Sequence, residues 1–399
     1  MTASPIPTTR NATPRFAELE SLRGLAACAV VIHHCLLTLP AIYPAFYSGP
    51  DQVTAPWAKV VTYTPLHLLW GGYEAVVLFF VLSGFVLTLG IWEGRALKME
   101  PFVIRRIWRI WVPFVPIVAL AYLASMALGT VAQPGVSKWF NRIWQGANPE
   151  AFLEHLLMLN RMDSVGAAFV PVVWTLKYEM WLSLLLPLVV LLARQRWWLA
   201  LGLAAASVVL GHSGLLSGNV ADTFHRILQF LPMFVLGAVL ARHHRAVIDW
   251  MQGRSNMLRW GLLVLAGWLG CLAWVLPSVG ERSTRGDLAI TAGAALLVAL
   301  ALGWPWLRNL LLLRPLRWLG QVSFSVYLWH TLVLVVLIRL QVLPLWLSLL
   351  LTLPLTLLIA WPYHRFVELP AMAWGRRLTT PRPQPEPRAS ASAPLTQPR

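Results

Sequence analysis

Long apolar runs recur along this chain, and they limit the folds that it can adopt. A helix needs about 20 consecutive, mostly apolar residues to cross the hydrocarbon core of a bilayer. Ten such runs can be read from the sequence, over residues 18–40, 66–92, 110–131, 171–193, 197–212, 224–241, 257–276, 287–304, 316–340 and 344–362. The fifth run is the shortest. The sequence therefore predicts an all-α fold, a polytopic integral membrane helical bundle of about ten spans.

The composition excludes a soluble globular protein. Hydrophobic residues make up 58% of the chain and charged residues only 12%, whereas soluble domains carry about 25% charged residues. A formal net charge of +16 would suggest a nucleic-acid partner in a soluble protein, but here the basic residues lie in short segments between apolar runs. This placement indicates membrane topology and contact with anionic lipid, so we expect membrane lipid and no nucleic acid as a partner.

The distribution of basic residues predicts an orientation. If the N-terminus lies in the cytoplasm, the cytoplasmic segments hold 22 of the 32 Lys and Arg residues and the opposite side holds seven. This bias favours ten spans with both termini inside. We expect a cytoplasmic leader over residues 1–15 and a disordered, Pro- and Ser-rich tail over residues 373–399. The three cysteines lie inside apolar runs without metal-ligand spacing, so we expect no metal site.

The first run, "LESLRGLAACAVVIHHCLL" over residues 19–37, contains polar groups that lipid cannot satisfy. Ionisable residues in membrane helices are costly, and they usually face a cavity or a partner. At about 100° per residue, Arg23 and His34 share one helix face with Glu20, whereas His33 points about 80° away from it. We therefore favour His34 as the functional histidine and leave helix packing as the alternative for His33.

Five further motifs follow in order along the chain. They are "GGYEAVVLFFVLSGF" (71–85), "FVIRRIWRIWVPF" (102–114), "WTLKYEMW" (174–181), "LGQVSFSVYLWH" (319–330) and "RFVELP" (365–370). Together with Arg23 and His34, which ten residues separate, they resemble the acyltransferase 3 family of polytopic membrane O-acyltransferases. The resemblance covers residues 16–372, which we interpret as one transmembrane domain.

The resemblance implies an integral inner-membrane enzyme of a bacterium. Such an enzyme moves an acyl group, here expected to be acetyl, from cytosolic acyl-CoA to a hydroxyl of a cell-surface or exported glycan. Acyl-CoA is then a donor substrate, and we expect no bound cofactor. Two other functions remain open: acylation of an antibiotic or lipid acceptor, and a transporter or flippase whose charges bind ions. Transporters often contain inverted repeats with paired broken helices, and the sequence shows none.

Four ionisable groups are expected to meet in the outer half of the membrane. They are His34, Glu74, Glu179 and His330, which lie at similar depths when each run is given a rise of about 1.5 Å per residue. Two carboxylates beside two imidazoles can perform acid–base chemistry, because a carboxylate fixes the tautomer of an imidazole and raises its basicity. We therefore assign all four a catalytic role, with His34 as the base that deprotonates the acceptor hydroxyl.

The donor is expected to bind closer to the cytoplasm. Arg23, Arg106 and Arg109 lie there, and guanidinium groups pair well with phosphates. Ser83 and Gly84 fall at the inner end of the second run, where a helix break would present backbone N–H groups to a ligand.

Each of these assignments has a structural alternative. Arginines near the cytoplasm also act as topology signals. Glu74 would cap its helix, Glu179 would pair with Lys177 or snorkel to the interface, and His330 would hydrogen-bond a neighbouring helix.

Overall fold

The computed structural model describes residues 16–145, 147–159, 169–212, 219–276 and 283–380, and within them the chain is helical with no β-strand. The helices are α1 (Ala17–Leu37), α2 (Tyr43–Tyr47), α3 (Pro56–Tyr63), α4 (Gly72–Trp92), α5 (Met99–Leu128), α6 (Lys138–Arg142), α7 (Pro149–Leu156), α8 (Val173–Gln195), α9 (Trp197–His212), α10 (Asn219–Arg242), α11 (His244–Gln252), α12 (Asn256–Val275), α13 (Thr284–Gly303), α14 (Pro305–Leu311), α15 (Arg314–Arg339), α16 (Leu345–Tyr363) and α17 (Leu369–Thr379). The described residues also contain two 3₁₀ turns (Pro50–Gln52 and Pro65–Leu69) and one π-helical turn (His364–Glu368).

Nine helical segments in the described part of the chain are long and apolar enough to cross a membrane. They are α1, α4, α5, α8, α10, α12, α13, α15 and the continuous segment from Leu345 to Thr379. The predicted all-α membrane bundle is thus confirmed. The predicted fifth span forms α9, an apolar helix of 16 residues, shorter than the other spans. The predicted orientation of the termini stays a prediction.

Both ends of the predicted domain can be compared with the helices. The predicted leader, residues 1–15, lies outside the described residues, as does the predicted tail from residue 381 onward. Residues 373–379, which we assigned to that tail, belong to α17. This helix packs on α5, because a Cβ on Gly375 would lie 2.8 Å from the Cβ of Trp108.

Close helix crossings hold the candidate site residues in place. Where α1 crosses α15, a Cβ on Gly24 would lie 2.7 Å from the backbone nitrogen of Gly320. Where α4 crosses α10, a Cβ on Gly84 would clash with the carbonyl oxygen of Phe234, and one on Gly237 with that of Val81. Small residues allow this approach, and van der Waals packing then stabilises the pair of helices in lipid.

The crossing of α4 and α10 corrects one expectation from the sequence. We expected the helix to break at Ser83 and Gly84, but α4 is continuous from Gly72 to Trp92. The predicted break is therefore wrong. Gly84 permits a backbone contact between two helices, and Ser83 points to a carboxylate, as described below.

Adding a single methyl group at this crossing should destabilise the bundle. Gly84→Ala and Gly237→Ala each place a Cβ against a backbone carbonyl that a rotamer change cannot move, so we expect each to cost about 1–3 kcal/mol. Gly261→Ala on α12 is the matched control, because no heavy atom lies within 4 Å of its Cβ position. Thermal unfolding of the purified protein in detergent measures the effect, and equal midpoints for all three variants would contradict the crossing.

Candidate active site

The two histidines that the sequence analysis singled out lie in direct contact. Nδ1 of His34 on α1 lies 3.0 Å from Nε2 of His330 on α15. Nδ1 of His330 lies 3.3 Å from the carbonyl oxygen of Val326, one turn earlier. A carbonyl only accepts, so the His330 proton is assigned to Nδ1, and its Nε2 accepts from Nδ1–H of His34. This arrangement leaves Nε2 of His34 with a free lone pair, as a general base requires.

Aromatic rings hold the half-buried His34 ring. The indole of Trp139 stacks on it, with ring centroids 5.1 Å apart and an interplanar angle of 18°. His33 takes a different direction: its ring stacks on Trp70 with centroids 5.8 Å apart, and a Cβ on Gly72 of α4 would lie 2.5 Å from its Cγ. His33 therefore packs between helices, whereas His34 faces His330.

Glu179 joins three helices through one oxygen atom. Its Oε1 accepts from Nη2 of Arg106 on α5 at 3.0 Å and from Oγ of Ser83 on α4 at 3.1 Å. We call these three residues the Glu179 network. Glu179 does not pair with Lys177, whose Nζ donates to Oγ1 of Thr223 at 3.3 Å. The network is mostly buried, so its charges compensate each other away from bulk water.

A partly open cavity lies beside the Glu179 network, and its empty volume of about 400 Å³ includes the open solvent at its mouth. Its lining is polar at Arg23, Thr175, Glu179, Ser323 and Tyr327 and apolar at Val76, Phe79, Phe80, Leu176 and Phe324. Arg23 makes no hydrogen bond or ion pair to any described residue. Its guanidinium is therefore available to an anionic ligand in the cavity.

Tyr327 connects this cavity with the histidine pair. It lines the cavity, and its ring centroid lies 5.8 Å from that of His330, one turn further along α15. Its hydroxyl lies 2.6 Å from Oγ1 of Thr175 on α8, a hydrogen bond in which either oxygen can donate. The cavity and His34 are thus separated by two side chains of one helix.

Arg109 belongs to a second buried network. Its Nη1 donates to Oε1 of the fully buried Glu368 at 2.8 Å. The other carboxylate oxygen of Glu368 accepts from Oγ of Ser325 at 2.8 Å and lies 2.8 Å from Nδ1 of His364. This network ties α5 and α15 to the π-helical turn. Arg109, like Arg106, therefore already has a carboxylate partner within the chain.

Glu74 occupies a third environment. Its Oε1 accepts from Nε1 of Trp274 at 2.9 Å, and its Oε2 lies 3.6 Å from Nε2 of the buried His67. The rings of His67 and Trp274 stack with centroids 4.3 Å apart. Among the described residues, neither Glu74 nor Glu179 hydrogen-bonds His34 or His330. The expected meeting of four groups is therefore observed for the two imidazoles alone.

Several neighbours of the site were not singled out in the sequence analysis. Thr175 lies inside the motif "WTLKYEMW", four residues before the candidate carboxylate Glu179. This spacing places both on one helix face, so the sequence could have indicated Thr175. Trp139, His67 and Trp274 gave no such signal, because each lies outside the quoted motifs and reaches its partner only through the tertiary fold.

Comparison with known proteins adds one match. The acyltransferase 3 family model, described as an acyltransferase domain, matches residues 16–365, nearly the whole chain. The matched range contains the histidine pair, the Glu179 network and the cavity, and it ends three residues before Glu368. No curated protein and no solved structure matches the chain.

Proposed function

This chain belongs to the acyltransferase 3 family and is a membrane acyltransferase; we propose that it transfers an acetyl group from cytosolic acetyl-CoA to a hydroxyl of a glycan. The glycan is a cell-surface or exported one, and the membrane is the inner membrane of a bacterium. One observation carries the proposal: Nδ1 of His34 lies 3.0 Å from Nε2 of His330, which leaves the other His34 nitrogen free to act as a base.

The proposed reaction is a direct transfer in which His34 moves one proton. Its Nε2 takes the proton from the acceptor hydroxyl as the oxygen attacks the thioester carbonyl carbon. The new C–O bond forms, the C–S bond breaks, and the proton on His34 passes to the departing thiolate. His330 keeps accepting the Nδ1–H of His34, so it orients the ring and stabilises the transient positive charge.

The cavity is the proposed site for the donor. Its aromatic and aliphatic side chains suit the acyl group and the adjoining arm of the thioester, and Arg23 offers a donor phosphate a guanidinium that hydrogen-bonds no described residue. Arg106 and Arg109 each use one terminal nitrogen for a protein carboxylate. Their remaining N–H groups can still bind phosphates of acetyl-CoA, so both arginines stay proposed contacts of that substrate.

Removing the charge of Arg23 should weaken donor binding. A hydrogen bond to a charged group contributes about 1.5–3 kcal/mol, so we expect Arg23→Met to raise the KM for acetyl-CoA about 10–100-fold. Arg105→Met is the control, because the Arg105 side chain is exposed and its Nε donates to Oγ1 of Thr379. Steady-state kinetics in detergent would test this, and equal KM values for Arg23→Met and wild type would remove Arg23 from the donor site.

Reconstitution tests the function as a whole. Proteoliposomes receive radiolabelled acetyl-CoA on one side and a periplasmic glycan extract on the other, with protein-free liposomes as the control. Ester-linked label in the glycan fraction supports the proposal. Label in the lipid fraction or in a small molecule would mean that the acceptor is not a glycan. Label that crosses the membrane without a covalent product would point to transport and contradict the proposed reaction.

A further inference from the structure

Arg339 is a buried arginine at the end of α15, nine residues after His330. Its Nη1 donates to the carbonyl oxygens of Gly129 at 3.0 Å and Val131 at 3.1 Å, and its Nη2 donates to that of Ile143 at 3.0 Å. These carbonyls belong to the segment that follows α5, and one arginine side chain hydrogen-bonds all three. We call residues 129–144 the α5–α6 clamp.

The surroundings of Arg339 explain why an arginine suits this position. The carbonyls at and beyond the end of α5 lack helical partners, and the planar fork of a guanidinium can satisfy several of them at once. The guanidinium carbon also lies 5.2 Å from the ring centroid of Trp144 and 5.8 Å from that of Phe140, both in the clamp. Because burying a charge is costly unless it is compensated, these contacts require the clamp to keep one geometry.

The clamp is also fastened to α1, next to His34. The backbone N–H of Ser137 donates to the carbonyl oxygen of Thr38 at 2.8 Å, and Oγ1 of Thr38 donates to the carbonyl oxygen of His34 at 2.8 Å. Within the clamp, the backbone N–H of Gln133 donates to Oδ1 of Asn141 at 2.7 Å, and Nδ2 of Asn141 donates back to the Gln133 carbonyl at 3.0 Å. The clamp therefore bridges the ends of the two helices that carry the histidine pair.

Trp139 lies within this fastened segment, and its buried indole stacks on His34. An imidazole can rotate about the bond that joins it to Cβ, and that rotation redirects both nitrogens. The hydrogen bond to His330 fixes one edge of the ring, and the stack with Trp139 fixes its plane. Both restraints depend on helix ends that Arg339 and Thr38 hold together.

We propose that the α5–α6 clamp orients His34, and that Trp139 and Arg339 are positioning residues for the proton transfer. The proposal rests on the proposed function for the reaction that it serves. Trp139 acts by its contact with the imidazole, and Arg339 acts through the clamp that carries Trp139. Reacting groups displaced by about 1 Å can lose about 100-fold in rate, so an unrestrained ring would be a poor base even with its nitrogen intact.

Chemical modification of His34 tests the restraint without relying on turnover. Diethyl pyrocarbonate reacts with an imidazole nitrogen, and tandem mass spectrometry, whose fragment ions separate His34 from the adjacent His33, gives the rate at His34. We expect Trp139→Ala and Arg339→Gln to raise this rate about tenfold, in line with the loss of about one ordinary hydrogen bond or stack. Trp139→Phe retains an aromatic ring and should stay near the wild-type rate. Arg142→Gln is the matched control for Arg339, since Arg142 lies in the same clamp with an exposed side chain.

The kinetic readout separates positioning from general damage. Trp139→Ala should lower kcat about 10–100-fold with little change in the KM for acetyl-CoA, and Trp139→Phe should recover most of it. An unchanged modification rate in Trp139→Ala would overturn the proposal. This variant tests the contact with His34 even if Arg339→Gln fails to fold. If the modification rate rises as expected while the wild-type protein transfers no acyl group, the orienting contact stands and the proposed function fails.

Discussion

His34→Asn should abolish nearly all acyl transfer while leaving the fold intact. Removing a general base costs about 10²–10⁴-fold in rate, and we expect kcat to fall by that amount. An asparagine amide nitrogen can take the place of Nδ1, so the hydrogen bond to Nε2 of His330 is retained. The variant therefore lacks the free Nε2, which is the atom that the mechanism uses, together with the ring that stacks on Trp139.

Variants of His330 complete this test. In His330→Gln the amide oxygen can accept the Nδ1–H of His34 in place of Nε2, whereas His330→Leu removes the acceptor. We expect the glutamine variant to keep at least about ten times more activity than the leucine variant, because about 1.4 kcal/mol of transition-state stabilisation corresponds to tenfold in rate. Single-turnover transfer of labelled acetyl measures all three variants. Wild-type kcat in His34→Asn would exclude His34 as the base, and equal rates for the two His330 variants would exclude the orienting bond.

Breaking the Glu179 network should produce the largest loss of stability. Arg106→Met removes the cation that is hydrogen-bonded to the Glu179 carboxylate, and Glu179→Leu leaves the Arg106 guanidinium without its anion. An uncompensated buried charge costs about 3–5 kcal/mol, whereas replacing both partners by apolar residues is often nearly neutral. We therefore expect each single variant to lose several kcal/mol of unfolding free energy and the double variant to recover much of it.

Unfolding of the four proteins in a denaturing detergent gives the coupling energy as a double-mutant cycle. Ser83→Ala is the comparison variant, because it removes one neutral donor to the same oxygen and should cost about 1 kcal/mol. Additive losses in Arg106→Met and Glu179→Leu, with no recovery in the double variant, would show that the two charges act independently.

The sequence predicted the helical class and one helix face correctly. Runs of about 20 apolar residues required spanning helices, and the regular advance of an α-helix placed Arg23 and His34 on the same side of α1. Both residues face α15: Arg23 lines the cavity with Tyr327, and His34 contacts His330. The second run was predicted to begin near residue 66, but α4 begins at Gly72 because a 3₁₀ turn and Trp70 precede it. That boundary depends on local turn geometry, which hydropathy does not report.

The lateral positions of the site residues within the membrane could not be predicted in the same way. Glu74 and Glu179 were assigned similar depths as His34, yet each bonds a different partner. Depth follows from position along one helix, whereas lateral position follows from how helices cross. The crossing of α4 and α10 depends on Gly84 and Gly237. These glycines are 153 positions apart, and nothing in the sequence indicates that they lie at the same crossing.

Tyr327 has a consequence for how the protein handles a reactive thioester. Its ring borders the cavity on one side and His330 on the other, so it stands between a donor in the cavity and an acceptor at His34. Direct transfer therefore requires the Tyr327 side chain to move aside once both substrates are bound. Until then the hydroxyl contact with Thr175 holds the ring in place, and keeping water from the donor suppresses wasteful hydrolysis.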